Sequence, residues 1–251
     1  MAIMKRITLF LSILLSLSVF SQDNRPFALL QKGAVAEYSV KIGKKPNPAF
    51  PFMTKEITEV ERLDDGTTRV VTKSIMQNNK KGLLKLPKMV KKAVSEDGQL
   101  STIIIKNDTC IIDATVESAA ENVNTDGFLL KIPSTMNVGD TLECGTLSMT
   151  FKLWGRDVKY KTSYSNFRVV AEKEITTAAG TFNCYVVRGR IKTSIKGGYT
   201  SLLGASGEYW VDDECWYARG IGVVRQITKV TNKRNVKPLC YELISITVPD
   251  E

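Results

Sequence analysis

The 251-residue chain has no histidine. That absence excludes a His general base, a Ser–His–Asp or Cys–His pair, and a His-ligated metal or haem. There is no G-x-S-x-G elbow and no S-x-x-K with its partner motifs, so nothing nominates a nucleophile. Carboxylates are paired only in turn-like segments, and no positioned base emerges. The five cysteines, Cys110, Cys144, Cys184, Cys215 and Cys240, show no CxxC and no zinc-ribbon spacing. No metal and no cofactor is expected, and the chain reads as a non-enzyme. Repeats and low-complexity linkers are missing too, which favours one domain.

What is present begins with a targeting segment. Lys5 and Arg6 precede an apolar run, Ile7 to Phe20, that ends at Val19-Phe20-Ser21. A basic start, a short apolar stretch and a small residue at the cut describe a secretory signal peptide over 1–21. Cleavage is expected between Ser21 and Gln22. The run is shorter than the ~20 residues of a spanning helix. No Cys follows it to carry a lipid, and no later segment is apolar enough to cross a bilayer. The expected location is the periplasm or the cell exterior.

Removing Lys5 and Arg6 from 35 basic residues leaves 33 against 26 acidic ones, net +7. In an exported chain that balance suits an anionic envelope polymer or lipid headgroups, not nucleic acid. Export also permits disulfides, and at least one is expected. The odd count leaves at least one thiol unpaired. Buried free thiols are the competing reading.

Hydrophobic content of 43% with 24% charged residues is that of a folded globular chain. Period-two alternation and β-branched runs dominate from Ala34 onward. Candidate strands alternate with turn-like separators: Asp64-Asp65-Gly66, Lys106-Asn107-Asp108, Ala179-Gly180 and Asn232–Asn235. The fold class is therefore all-β, an antiparallel meander forming an open barrel or two packed curved sheets. Helix is scarce, with Lys88–Val94 and Ala119–Val123 the only candidates. The domain is 22–251, with 79–96 as a basic insertion. Segment 43–54 holds three prolines and reads as a surface loop carrying Phe50 and Phe52.

Three segments offer recognition chemistry. Six lysines between Lys80 and Lys92 interleave with apolar residues, a pattern found at membrane surfaces and also in solvated insertions. On a strand, Arg188, Arg190 and Lys192 share one face while Val187 and Ile191 share the other. Such a stripe fits an anion, or is the solvent side of a strand. Gly189 within it implies a bulge or a close neighbour. Finally, Tyr209-Trp210 and Trp216-Tyr217 flank Asp212-Asp213-Glu214. The acids read as a hairpin tip and lack an EF-hand pattern. The aromatics either line a ligand pocket or pack the core. Gly220 and Gly222 do not follow a βα pattern, so no dinucleotide site is read there.

The motifs Ile175-Thr-Thr-Ala-Ala-Gly180-Thr-Phe-Asn-Cys184-Tyr-Val, Tyr217-Ala-Arg-Gly220-Ile-Gly222-Val-Val and Asn137-Val-Gly-Asp-Thr-Leu142 resemble those of the TapB-like family, exported bacterial domains of unknown function. The resemblance spans about 130–248. It implies a β-rich exported domain, has no catalytic residues to carry over, and singles out Gly180, Cys184, Gly220 and Gly222 as structural. Cys184 is the expected disulfide member.

Two functions compete. One is a non-catalytic binding module for an apolar or amphiphilic small molecule, using Tyr209, Trp210, Trp216, Tyr217, Phe50 and Phe52. The other is an envelope interaction protein that docks through its basic face.

Overall fold

A computed structural model describes residues 25–77, 99–113, 124–153, 156–197 and 207–249. The signal segment, the 79–96 insertion with its lysine cluster, and both candidate helices lie outside these residues. Among the described residues every regular element is a strand. They are β1 Val35–Ile42, β2 Lys45–Pro46, β3 Phe52–Arg62, β4 Thr68–Gln77, β5 Gln99–Lys106, β6 Thr109–Asp113, β7 Asn124–Asp126, β8 Leu130–Pro133, β9 Thr146–Leu153, β10 Arg156–Thr177, β11 Gly180–Gly197, β12 Gly207–Ala218, β13 Gly222–Val230 and β14 Leu239–Thr247. The all-β expectation holds.

All pairings are antiparallel and belong to one sheet, in the order β7-β9-β10-β11-β12-β13-β14-β1-β3-β4-β5-β6-β8, with β2 on β1. Most neighbours are hairpins, as short turn-like separators demand. Asn107 and Asp108 take φ of 47° and 58° in the β5–β6 turn, the positive values that a two-residue type I′ hairpin requires. The sheet curls until its ends meet. Leu129 N–H donates to Ile112 of β6 at 2.9 Å, while Gly145 N–H donates to the Leu129 carbonyl at 3.0 Å. Segment 139–145 then bonds to β10 through Leu142 N–H to Phe167 and Val169 N–H to Asp140, each 2.9 Å.

The N-terminal strap, residues 25–33, crosses from the β12–β13 turn to β3. Gly220 N–H donates to the Pro26 carbonyl at 2.8 Å, and Gly33 N–H to Ile57 at 2.7 Å. Phe27 and Ala28 are buried among Leu130, Ile132, Val187 and Tyr217. A second cluster joins Tyr38, Val40 and Leu243 to Cys184, Ala218 and Val224.

Two sequence expectations change. The proline-rich stretch is not loop throughout: it contains the short β2, and β3 starts within it at Phe52. Pro46 is tolerated because β2 bonds only to β1, leaving its other side unpaired. The acidic run 212–214 lies in the middle of β12, not at a hairpin tip, because β11 and β13 pair along both of its sides.

The close neighbour implied at Gly189 is Phe167. Asn166 and Phe167 bulge out of β10 between the rungs Ser165–Arg190 and Arg168–Arg188. Asn166 has φ 56°. The fully buried Phe167 ring sits where a Gly189 side chain would be. Gly189→Val should therefore destabilise by about 2–3 kcal/mol through overpacking. At Gly220 φ is 69°, and a Cβ would lie 3.0 Å from the Arg25 guanidinium. Gly220→Val should lose about 1–2 kcal/mol through the left-handed backbone. Denaturant midpoints equal to wild type for both would refute these assignments.

Candidate functional site

The two faces of β12 carry different chemistry. Outward, the register places Glu214 opposite Arg188 and Asp212 opposite Arg190. The resulting ion pairs are 2.6 Å for Arg188–Glu214 and 3.1 Å for Arg190–Asp212, with Lys192–Glu208 also at 3.1 Å. The three-cation stripe is thus one half of a six-charge ladder. Each such pair contributes about 0.2–1 kcal/mol to sheet pairing. Burial pushes the Glu214 carboxyl up, but the Trp216 indole N–H and Arg188 outweigh it and hold it below the usual range. Beside the ladder runs a groove of about 680 Å³ that also takes in Arg168 and Lys229.

Inward, β12 presents Asp213, Cys215 and Tyr217, all buried. The Cys215 thiol donates to Asp213 at 3.3 Å, and the Gln226 amide donates to the same carboxyl at 3.0 Å. Burial pushes the Asp213 carboxyl up; the amide and thiol oppose it, and Glu214 adds to it. Burial also lifts Cys215 and Tyr217 far above their usual ranges, and the Asp213 charge reinforces both. Tyr164, stacked on Phe167 at 5.0 Å, is raised for the same reasons.

Across the interior, β1 and β3 contribute Tyr38 and Lys55. The Tyr38 hydroxyl donates to the Val223 carbonyl at 2.8 Å. The Lys55 ammonium stands 5.5 Å from the Tyr38 ring centre. Desolvation lowers the Lys55 pKa, and Cys215 partly offsets that. Between these elements lies a cavity of about 170 Å³. Phe27, Leu29, Ile57, Ile103, Ile132 and Val223 make its apolar lining, and Lys55, Thr72, Ser101 and Thr102 its polar lining.

Of the six aromatic candidates, Tyr217 alone borders this cavity. Trp210 lies under the Lys192 ammonium at 5.1 Å, in the outer ladder. Tyr209 lies under Lys233 at 4.1 Å. Trp216 donates its indole N–H to Glu214 at 2.8 Å. Phe50 is half-buried in the loop before β3, and Phe52 is exposed. Gly222 meets the strap, with the Phe27 carbonyl 3.3 Å from the place of a Cβ. Lys55 and Asp213 were missed. The signal was their parity: Lys55 falls between Met53 and Ile57, and Asp213 between Val211 and Cys215, on the inward face.

The expected disulfide is absent: all five cysteines are free. Cys184 pairs across the sheet with Ala218 and Cys215 with Val187, so these two sit three rungs apart. Cys240 faces Lys41, and Cys110 faces Ile132. Burial raises Cys110 to about 11 and Cys184 to about 12, so neither offers a thiolate at neutral pH. Among the described residues no group of three or more metal-ligating side chains gathers.

The architecture defines a class: a curled antiparallel sheet around a small, partly polar interior. The chain belongs to the DUF3108-like family, whose model matches residues 34–236. That name differs from the TapB-like group that the motifs resemble; what carries over is the uncharacterised β-rich domain. Among solved structures, a Bacteroides fragilis protein classed as exported, with a YmcC-like fold, aligns at TM-score 0.60 and 15% identity, over 89% of this chain and 99% of its own. A Parabacteroides distasonis protein classed as a lipoprotein aligns at TM-score 0.59 and 16% identity, with the same coverage. These likenesses establish a shared fold. A search of curated proteins returned no match.

Two predictions follow from the interior. Unfolding in iodoacetamide without reductant should add five alkyl groups per chain, and fewer would reveal a disulfide. The second concerns pH. Folded Asp213 holds its proton more tightly than the unfolded chain does. Between the two pKa values the unfolded state is ionised and the folded state is not, so stability falls as pH rises through that window. Wild type should lose stability relative to Asp213→Asn as denaturation is moved from pH 4 to pH 7. A difference between the two that ignores pH would show that Asp213 does not titrate there.

Proposed function

We propose that this protein is a non-catalytic binding module of the bacterial envelope that holds a small apolar or amphiphilic molecule inside its barrel. The observation that carries this reading is the 170 Å³ cavity with a mostly apolar lining. Cavities of about 150 Å³ with apolar walls accept molecules the size of benzene. The strap forms one wall through Phe27 and Leu29.

The non-catalytic part rests on the interior groups themselves. A nucleophile needs a lowered pKa or an adjacent base. Burial acts on Cys215 and Tyr217 in the opposite sense and keeps both protonated. Envelope location is supported by the signal-like residues 1–21 and by the exported and lipoprotein classes of the structural neighbours. The competing reading, docking to an anionic polymer, draws on Arg168 and Lys229 in the outer groove. It is weakened by the three carboxylates that already pair with Arg188, Arg190 and Lys192.

The test is native mass spectrometry of protein recovered from a bacterial periplasm. A small-molecule adduct that leaves on denaturation is expected. Val223→Phe, which fills the cavity, should lose the adduct while keeping the far-ultraviolet spectrum of a β protein. An adduct retained in that variant would place the ligand elsewhere, and a bare wild-type chain that also takes up no added small alcohol would remove the proposal.

A further inference from the structure

Resting on the binding reading, the chemistry of the cavity wall narrows the ligand. Lys55 is a half-buried, inward-facing lysine on β3 whose surroundings take part of its water away. Among the described residues no carboxylate forms an ion pair with it; its near contact is the Tyr38 ring. An isolated cation in such a place is costly to the fold. The neighbouring polar side chains of the cavity are the hydroxyls of Thr72 and Ser101, which face each other on the adjoining strands β4 and β5. All three groups can donate hydrogen bonds. They gather on the β3–β4–β5 wall, while the strap side is apolar through Phe27 and Leu29.

We infer that the cavity takes a small monocarboxylate, with its anionic head at Lys55 and its hydrocarbon part against the strap. One lysine balances one negative charge, and a dianion such as phosphate would leave net charge buried. The volume limits the hydrocarbon part to a benzene ring or a chain of about six carbons. The Tyr38 hydroxyl is engaged by the Val223 carbonyl, so Lys55 and the Thr72 and Ser101 hydroxyls make the head site. A charge-assisted hydrogen bond from the ammonium is the strongest contact such a site offers a carboxylate.

The experiment compares hexanoate with 1-hexanol by calorimetry on the full mature chain, in wild type, Lys55→Met and Lys55→Gln. Wild type should bind hexanoate at least tenfold more tightly than hexanol. Both variants should bind the two alike, and Lys55→Met should melt higher than wild type because a half-buried, partly desolvated cation is gone. Equal binding of acid and alcohol by wild type would overturn the carboxylate assignment and leave the cavity reading standing. A hexanoate preference that survives in both variants would move the head site away from Lys55. Binding of neither compound would remove the cavity reading and this inference with it.

Discussion

The interior exists because one short stretch of backbone joins the two ends of the sheet. Residues 139–145 bond to β10 on one side and to residues 129–131 on the other. Without that seam, β8 and β10 would present unpaired edges, which invite association with other chains. With it, the inward-facing side chains of β1, β3, β12 and β13 are shielded from water. Lys131 and Glu143 reinforce the seam with an ion pair of 2.6 Å. The unusual electrostatics of the interior follow from that enclosure: the raised Asp213, Cys215 and Tyr217 and the lowered Lys55 are all desolvated first and tuned by neighbours second.

The same strand shows how the chain separates two kinds of charge. On the outside of β12, Glu208, Asp212 and Glu214 meet cations from β11 in water, where pairing is cheap and adds little. On the inside, Asp213 is satisfied by an amide and a thiol, neither of them charged. Lys55 is not matched to Asp213 or to any other described carboxylate. A fold selected for stability alone would place a methionine or leucine there. Polar groups that break the inward apolar pattern without a partner are the usual mark of a functional surface. The interior thus differs from an ordinary core in its chemistry more than in its packing.

Much of this architecture was legible in the chain. Alternation of apolar and polar residues located most strands, and the turn residues located most hairpins. Gly189 announced the close approach of another group, later found to be Phe167. The parity of 188, 190 and 192 assigned them correctly to one face. What parity could not supply was the identity of the facing strand. The three cations looked like an anion site because the carboxylates that neutralise them lie some twenty residues away, on β12. The aromatic pairs of 209–217 looked like a pocket because adjacent residues were taken together, whereas adjacent strand residues point to opposite sides. Trp210 belongs to the outer, charged side, and Trp216 packs against the second core cluster. The disulfide expectation failed for a related reason, since export permits pairing but only register brings two sulfurs together.

The sequence by itself determined the class of fold and the absence of histidine chemistry. These depend on local composition and on a period of two, which need no knowledge of the partner strand. Only the tertiary structure decided which face of each strand became the interior of a curled sheet. It alone brought Lys55 from β3 near Tyr38, Cys215 and the β4–β5 hydroxyls, residues up to 160 positions from it in the chain. The reason is physical: a lysine is an ordinary surface residue until the closing of a distant seam removes its water.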